Sequence, residues 1–336
     1  MNSKTLSFII IALMILATGC SNDDDDSSNG NGTPSLGFEV TIYDADKACN
    51  GTTFFVYKYV DPDILYEVDM NGEPVWEYEL PEEMGSNQTE AELISNDSIL
   101  IVNQSIGLAI INRNGDILWE YDDPKVSHDA DLLDNGNILY IFGMGDAKID
   151  TIVKEITPDG DLVWWWRAFE YFNYPPYSEI NPGTEDGWTH INTVSRLDNG
   201  NTLVSLRNFD MIVEINPDGT PVDTIIDVID SPHDPQLIDD EHILVAHQTP
   251  IVHSAINYNK ATDVIEWRFD DSTQCDMPMR DVNLLPNGNI LITCASRLIE
   301  VIPSTNEIVW QLELTDSLFP GEGAGKGFYK AERITE

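Results

Sequence analysis

The sequence has 336 residues and a formal net charge of −42, because 59 Asp and Glu outnumber 17 Lys and Arg. So acidic a chain argues against nucleic acid and against anionic lipid surfaces as partners of the folded body. Besides Cys20 there are only Cys49, Cys275 and Cys294, so a disulfide framework is excluded and at most one bridge, of open pairing, remains.

The first 20 residues are typical of a lipoprotein export signal. Lys4 provides the positive start, and an apolar run from Leu6 to Leu16 follows that is too short to span a bilayer. The segment Leu16–Cys20 (LATGC) resembles a bacterial lipobox, which implies that Cys20 is the lipidation site. The alternative is an ordinary secretory signal in which this cysteine has no role.

Residues 21–37 are acidic and polar, and they predict a disordered tether because they cannot bury apolar surface. The acidic run directly after Cys20 resembles the tag that sends some Gram-negative lipoproteins to the outer face, although an ordinary solvated linker is the alternative. We therefore expect a cell-envelope lipoprotein of a Gram-negative-type bacterium, in the outer membrane and touching it through the lipid anchor only. The sequence leaves open which face of that membrane it occupies.

A repeated hairpin dominates residues 38–336. Each copy has an apolar strand, a turn rich in Asn-Gly or Asp-Gly, and a second strand that ends in tryptophan. We expect these tryptophans to pack between neighbouring repeats rather than to hold a cofactor. The copies end at Trp76, Trp119, Trp164, Asp223 (where the tryptophan is lost), Trp267 and Trp310, which are 43, 45, 59, 44 and 43 residues apart.

A second hairpin with a similar turn lies between those copies. Two hairpins per period of about 44 residues make a four-stranded antiparallel unit, which is the blade of a β-propeller. The sequence therefore predicts an all-β fold, a six-bladed β-propeller. The innermost strands are expected near Glu90–Ser95, His128–Leu133, His190–Leu197, His233–Ile238, Arg280–Leu285 and Phe328–Ile334.

Ring closure is predicted to involve the C-terminal strand. Phe328–Ile334 has no partner after it in the sequence, and the first repeat starts with a second strand, Thr53–Tyr59, without an inner strand of its own. We therefore expect Phe328–Ile334 to pair with the N-terminal strands and close the ring, which removes an exposed sheet edge.

The leading ends of the innermost strands meet at one mouth of the channel. Three of the six histidines, His128, His190 and His233, are predicted at such ends, and Arg280 holds the equivalent place in the next blade. A single histidine there would simply face solvent, but three together indicate a site. Three histidines also suit zinc. Because the accompanying groups are cations and amides rather than carboxylates, we expect no metal.

At these histidines the sequence resembles the PAPS-independent aryl-sulfate sulfotransferases, the arylsulfotransferase family. The likeness covers most of residues 50–336, and its most specific part is His190-Ile-Asn192 followed by Arg207. Family members move a sulfuryl group from a phenolic sulfate ester to a phenolic acceptor through a sulfated histidine, without a cofactor. The matching segments are Ser127–Asp129, Trp188–Val194, Ser205–Asn208, Ser231–Asp234 and Phe328–Ile334.

The resemblance implies a role for each residue. His233 matches the nucleophile, and the residues around the sulfuryl group are matched by His128, His190, Asn192 and Arg207. The residue types fit this chemistry, because a neutral imidazole is a competent nucleophile near pH 7. A second histidine would carry the proton between the two phenols.

An acidic chain repels an anionic ester at long range, so the mouth requires a local cationic pocket. We expect Arg207, Arg280 and Lys330 to supply it. The aromatic segment Trp164–Trp188 either loops over the mouth, with Trp188 binding the aromatic ring of the substrate, or packs against the rim of a blade.

The main alternative is a non-catalytic propeller that binds a glycan or a protein at the cell surface, since the fold alone does not decide function. Quinone-dependent dehydrogenases have similar Asp-Gly-x-x-Val-Trp repeats, but six blades and a histidine-rich mouth argue against that class. The sequence does not predict the oligomeric state.

Overall fold

The computed structural model describes residues 36–58, 62–81, 84, 89–175, 177–183, 186–249, 252–270, 279–315 and 326–335. The predicted export signal, Cys20, nearly all of the tether and Cys275 lie outside these residues. Within them, Cys49 and Cys294 are buried thiols that form no disulfide. No helix in the described ranges has the length and apolar composition needed to cross a bilayer.

The regular secondary structure of the described chain is almost entirely β-strand, with one short helix, α1 (Ala168–Phe172), and two 3-10 turns (Tyr177–Glu179 and Arg207–Phe209). In chain order the strands are β1 Phe38–Tyr43, β2 Thr52–Tyr57, β3 Ile64–Val68, β4 Pro74–Glu79, β5 Thr89–Ser95, β6 Ser98–Asn103, β7 Gly107–Asn112, β8 Ile117–Asp122, β9 Ala130–Leu132, β10 Ile138–Ile141, β11 Val153–Ile156, β12 Leu162–Trp166, β13 Ile191–Arg196, β14 Thr202–Leu206, β15 Met211–Ile215, β16 Pro221–Ile225, β17 His233–Leu237, β18 His242–Gln248, β19 His253–Asn259, β20 Val264–Asp270, β21 Met279–Leu284, β22 Ile290–Cys294, β23 Arg297–Ile302, β24 Glu307–Leu314 and β25 Ala331–Ile334.

These strands form six antiparallel sheets, so the predicted six-bladed β-propeller is confirmed. The hairpin turns explain the pairing: Gly136, Gly200 and Gly288 follow the inner strands with φ between 81° and 85°, which glycine adopts without strain. From the channel outward the blades are β25-β2-β3-β4, β5-β6-β7-β8, β9-β10-β11-β12, β13-β14-β15-β16, β17-β18-β19-β20 and β21-β22-β23-β24-β1.

The ring closes twice. As predicted, β25 is the innermost strand of blade one and pairs with β2, with Ala331 opposite Phe55 and Ile334 opposite Thr52. The second closure was not predicted from the sequence: β1 adds a fifth, outermost strand to blade six by pairing with β24. Phe38 in β1 packs edge-on against the rings of Phe55 and Tyr66 in blade one, so this strand also fastens blade six to blade one.

The repeat tryptophans connect neighbouring blades, as predicted. Each indole N–H donates to the outer hairpin turn of the next blade, which satisfies a buried or half-buried donor at the junction. In blade four, where Asp223 replaces the tryptophan, the Asp223 carboxylate instead lies 3.3 Å from Nζ of Lys260 in blade five. The indole bonds run from Trp76 to Arg113 O, Trp119 to Pro158 O, Trp164 to Pro217 O, Trp267 to Asn306 Oδ1 and Trp310 to Met70 O.

The second strand of each blade is buried on both faces and ends at the mouth where the inner strands begin. This antiparallel arrangement delivers two sets of side chains to the same mouth. The residues at or just after these strand ends include Lys58, Asn103, Arg207 and Gln248.

Side chains on the inner strands accept backbone hydrogen bonds from the neighbouring inner strand. Because adjacent blades share no continuous ladder, these acceptors satisfy N–H groups that the channel would otherwise leave unpaired. The bonds are Asp129 Oδ2 to Val194 N (2.8 Å), Asp131 Oδ2 to Arg196 N (3.2 Å), Gln236 Oε1 to Leu284 N (3.1 Å), Asp281 Oδ2 to Ala331 N (3.1 Å) and Glu332 Oε1 to Leu93 N (2.9 Å).

Candidate functional site

His128 lies just before β9 in a tight, strained turn. Its φ is 61°, and the Asp129 N–H donates to the Ser127 carbonyl at 2.7 Å across it. The side chain is buried, and its Nδ1 has no hydrogen-bond partner among the described residues. A buried polar atom left without a partner in a strained turn is typical of a functional site.

His190 precedes β13 and also has a left-handed backbone, with a φ of 45°. Asp146, in the loop after β10, accepts the His190 N–H at 3.2 Å and the Thr189 N–H at 3.0 Å. On the other side, Nη1 of Arg207 lies 3.3 Å from both ring nitrogens of His190. The His190 ring stands edge-on to that of His128, with centroids 5.1 Å apart, so the two histidines are direct neighbours.

His233 is the first residue of β17, and its imidazole is buried. Nδ1 lies 2.9 Å from the Ser231 carbonyl oxygen, and donating to it leaves the lone pair on Nε2. The Gln248 side-chain amide nitrogen lies 3.1 Å from the same ring atom but donates to the Met279 carbonyl at 2.6 Å, so it does not require Nδ1 as an acceptor. Burial, with Arg207 and Arg280 nearby, lowers the pKa of His233 to about 3. The imidazole is therefore neutral at physiological pH, as a nitrogen nucleophile must be.

Asn192 and Arg280 extend the site across blade junctions. Asn192 is buried and donates Nδ2 to the Pro232 carbonyl at 2.9 Å, while its Oδ1 finds no partner in the described part of the chain. Arg280 donates to the Phe328 carbonyl at 2.9 Å, and its guanidinium lies 4.7 Å from the Tyr329 ring centroid. The structure thus brings the predicted residues of blades three to six to one mouth.

The electrostatics of this mouth favour an anionic ligand. Burial lowers the pKa of His128 well below its ordinary value, and His190, His233, Lys58 and Arg207 lower it further. Neutral imidazoles between permanent cations can bind an anion through charge-assisted hydrogen bonds. In the described ranges, no group of three or more His, Cys, Asp or Glu side chains is arranged to hold a metal ion.

Lys330 does not join this cationic mouth, contrary to expectation. Its Nζ lies 2.6 Å from Asp129 Oδ1 and 3.9 Å from Asp234, so carboxylates neutralise its charge. Lys330 instead lines a cavity of about 630 Å³ on the acidic side of the channel. The carboxyl groups of this acidic cavity belong to Glu92, Asp129, Asp131, Asp198, Asp234, Asp239, Asp240, Asp281 and Glu332.

Trp188 and its aromatic neighbours pack against one another and against blades three and four. The Trp188 ring lies edge-on to Phe209 with centroids 5.3 Å apart, and Phe172 stacks on Tyr177 at 4.4 Å. The Tyr177 hydroxyl lies 2.8 Å from Thr224 Oγ1 in blade four. These contacts favour the packing interpretation of the segment over a role of Trp188 in substrate binding.

Two residues at the mouth were missed from the sequence. Asp146 sits in an irregular loop with no motif, so only its bonds to the His190 turn reveal it. Lys58 follows a strand like any solvated lysine, and only its burial shows that it is different.

Asp146→Asn tests how far the His190 turn depends on this carboxylate. An amide keeps one acceptor oxygen where the carboxylate uses two, so we expect a loss of about 1–3 kcal/mol in the free energy of unfolding. Misplacing His190 should lower the turnover of the site by roughly 10- to 100-fold. Urea unfolding and initial rates measure both; Asp150→Asn, the same change in a nearby surface ion pair, is the control. Equal effects of the two substitutions would contradict the prediction.

Several channel carboxyls near the acidic cavity keep their protons in the folded state. Burial raises the pKa of Glu90 to about 8, and burial together with Asp129 raises the pKa of Asp131 to about 7. In the unfolded chain the same groups ionise near their ordinary values of about 4. The stability that they contribute is therefore complete below pH 4 and is lost as the pH rises through their folded pKa values.

Glu90→Gln isolates this effect, because glutamine stays neutral at every pH. Relative to the unsubstituted protein, the variant should gain about 3 kcal/mol in the free energy of unfolding between pH 5.5 and 8.5. Urea unfolding at the two pH values measures the gain, and Glu120→Gln on an exposed strand is the control. A difference between Glu90→Gln and the unsubstituted protein that stays constant with pH would mean that Glu90 is ionised in the folded protein.

A comparison with known protein families matches a region of the chain that contains several of these site residues. The model of the arylsulfotransferase (ASST) family matches residues 39–226, which is more than half of the sequence. This match includes His128, His190, Asn192 and Arg207. No curated protein matches the chain.

Solved structures share the fold at low sequence identity. A protein of unknown function from Bacteroides caccae is 19% identical, with 78% of this chain and 94% of that chain covered and a TM-score of 0.57. The WD40 β-propeller domain of Doa1 is 12% identical over 83% of this chain and 87% of its own, with a TM-score of 0.53. A streptogramin B lyase is 12% identical over 84% and 88%, with a TM-score of 0.50. These similarities concern the fold alone.

Proposed function

The chain belongs to the arylsulfotransferase family, and we propose that it transfers a sulfuryl group from a phenolic sulfate ester to a phenolic acceptor in two steps through a sulfated His233. In the first step Nε2 of His233 attacks sulfur, and the bond from sulfur to the phenolic oxygen breaks. In the second step the acceptor oxygen attacks the same sulfur and regenerates the imidazole. Because the family is PAPS-independent, the phenolic ester itself supplies the sulfuryl group and no cofactor is invoked.

The observation that supports this proposal most directly is the environment of His233. Its Nδ1 can donate to Ser231, which leaves Nε2 as the nucleophile, and burial keeps the ring neutral. Arg207 and Asn192 stand beside it as donors for the non-bridging sulfuryl oxygens, on which charge develops during transfer. His128 and His190 complete the wall of the pocket.

The test follows release of 4-nitrophenolate from 4-nitrophenyl sulfate by the purified full-length chain, with and without phenol. The proposal expects release that requires phenol, parallel double-reciprocal lines when donor and acceptor are varied, and a sulfated peptide containing His233 when the donor is given alone. Release that needs both substrates bound at once, with no adduct, would replace the two-step route by direct transfer. An absence of release with every phenolic acceptor would favour a binding propeller for a glycan or protein.

We further propose that the chain is an outer-membrane lipoprotein held by acylated Cys20, on the strength of the lipobox-like segment and the acidic run that follows it. Cys20→Ala should abolish incorporation of labelled palmitate and release the protein from the membrane fraction. Retention of both by the variant would exclude lipidation at Cys20.

A further inference from the structure

Lys58 occupies in blade one the position that Arg207 occupies in blade four. Each is the first residue after the second strand of its blade, β2 for Lys58 and β14 for Arg207. Because all second strands end at the same mouth, this register brings the Lys58 side chain toward the histidines. The nearness of its charge to His128 agrees with this placement.

The Lys58 ammonium is buried without a hydrogen-bond acceptor. Lys58 is 3% exposed, and its Nζ has no hydrogen-bond partner in the part of the chain that the structure describes. The ammonium lies over the face of Tyr329, whose ring centroid is 4.5 Å from Nζ. Arg280 lies 4.7 Å from the centroid of the same ring. A buried ammonium without an acceptor opposes folding, and such groups cluster at functional sites.

The charged groups around Lys58 leave it able to exchange a proton. Burial is the largest influence and lowers the pKa of Lys58 to about 8, with Arg280 lowering it and Glu90 and Asp63 raising it. Glu90 is the strongest acidic influence on Lys58, and its own pKa is raised to about 8, so it is largely protonated at pH 7. Lys58 therefore changes charge near physiological pH.

The proposed reaction needs such a group, because a phenol with an ordinary pKa of about 10 is a poor leaving group as its anion. The resemblance in sequence predicts a second histidine as the proton carrier. His128, however, is held neutral by burial and by its cationic neighbours, so it has no proton of suitable acidity to donate. An acid whose pKa lies close to the working pH transfers protons most efficiently.

We propose that Lys58 is the general acid and base of the sulfuryl transfer, an inference that rests on the proposed function. As Nε2 of His233 bonds to sulfur, the electron pair of the breaking sulfur–oxygen bond goes to the phenolic oxygen, which takes a proton from the Lys58 ammonium. A neutral phenol leaves, and Lys58 remains as an amine. The amine then takes the proton of the acceptor phenol as that oxygen bonds to sulfur and the electron pair of the nitrogen–sulfur bond returns to His233. The cycle consumes no net proton.

The test compares donors whose leaving groups differ in basicity. Phenolate needs a proton when it departs, whereas the nitro group stabilises 4-nitrophenolate without one. With the donor given alone, the proton-transfer role predicts that Lys58→Met lowers the rate of adduct formation about 100-fold for phenyl sulfate and far less for 4-nitrophenyl sulfate. Lys58→Arg should behave like Lys58→Met, because a guanidinium keeps its charge but does not release its proton. Lys125→Met, which removes an exposed lysine paired with Asp150, is the control.

The outcomes distinguish failure of the proposed Lys58 role from failure of the proposed sulfuryl transfer. Loss of the same size with both donors, or full activity of Lys58→Arg with phenyl sulfate, would make Lys58 an electrostatic contact only and overturn the acid–base role. No transfer from either donor by the unsubstituted protein would instead reject the proposed function. Lys58→Met removes a buried charge, so thermal unfolding should show a melting temperature no lower than that of the unsubstituted protein. If that variant does not fold, the pH profile of the unsubstituted protein decides. The rate of adduct formation from phenyl sulfate should fall above about pH 8, where Lys58 loses its proton. A flat profile would overturn the proposal.

Discussion

Replacing His233 by alanine should reduce sulfuryl transfer from 4-nitrophenyl sulfate to phenol by about 10⁴-fold or more, because the substitution removes the atom that receives the sulfuryl group. The sulfated peptide should disappear at the same time. The purified variant is assayed for both, with a thermal melt to show that it folds. In the unsubstituted protein, adduct formation should not slow between pH 7 and pH 5, because the low pKa of His233 keeps its ring neutral there.

His242→Ala is the matched control, since His242 lies in the same blade at the far end of β18 and pairs with Asp239 and Glu266. It should retain the full rate. A sulfated peptide that persists in His233→Ala would assign the nucleophile to another histidine of the mouth. A rate that falls in His242→Ala as much as in His233→Ala would point to damaged folding instead.

Arg207→Met should lower kcat by about 10³-fold with a much smaller change in KM. Arg207 contacts His190, and its charge acts on His233 as well, so its guanidinium is placed to stabilise charge on the sulfuryl oxygens during transfer. Such an interaction is stronger in the transition state than with bound substrate, which is why kcat carries the effect. Steady-state kinetics with varied donor and saturating phenol measure the division between the two constants.

Arg167→Met serves as control for Arg207→Met, because Arg167 is a half-exposed arginine on the aromatic segment that stacks on Trp165. A large rise in KM with kcat unchanged in Arg207→Met would mean that Arg207 only binds the ground-state ester. Partial recovery in Arg207→Lys would show that charge matters apart from the forked geometry of arginine.

The fold could be predicted from the sequence because the signals that specify it are local and repeated. Asn-Gly turns and terminal tryptophans recur at nearly constant spacing, and each repeat can bury its apolar faces only against a neighbour. The closure by β25 followed from counting strands. The pairing of β1 with β24 was not accessible, because it joins segments from opposite ends of the chain and β1 carries no turn signal of the repeat.

The site could be predicted from the sequence only in part. His128, His190 and His233 could be placed together because the start of an inner strand fixes where its residue lies in a propeller. Lys330 could not be placed correctly, since its partner Asp129 is 201 residues away in the sequence. The burial that lowers the pKa of Lys58 depends on Tyr329 from the other end of the chain, and the sequence beside Lys58 gives no sign of it.

The double closure also bears on how the chain becomes a ring. Blades two to five are each built from consecutive strands, so each can form as soon as its own residues have left the ribosome. Blades one and six are different, because β2 needs β25 and β1 needs β24 from the far end of the sequence. Until the last residues emerge, β1 and β2 both present open hydrogen-bonding edges. Closure of the ring is therefore expected as the last step of folding, because the partner strands of blades one and six are synthesised far apart in time.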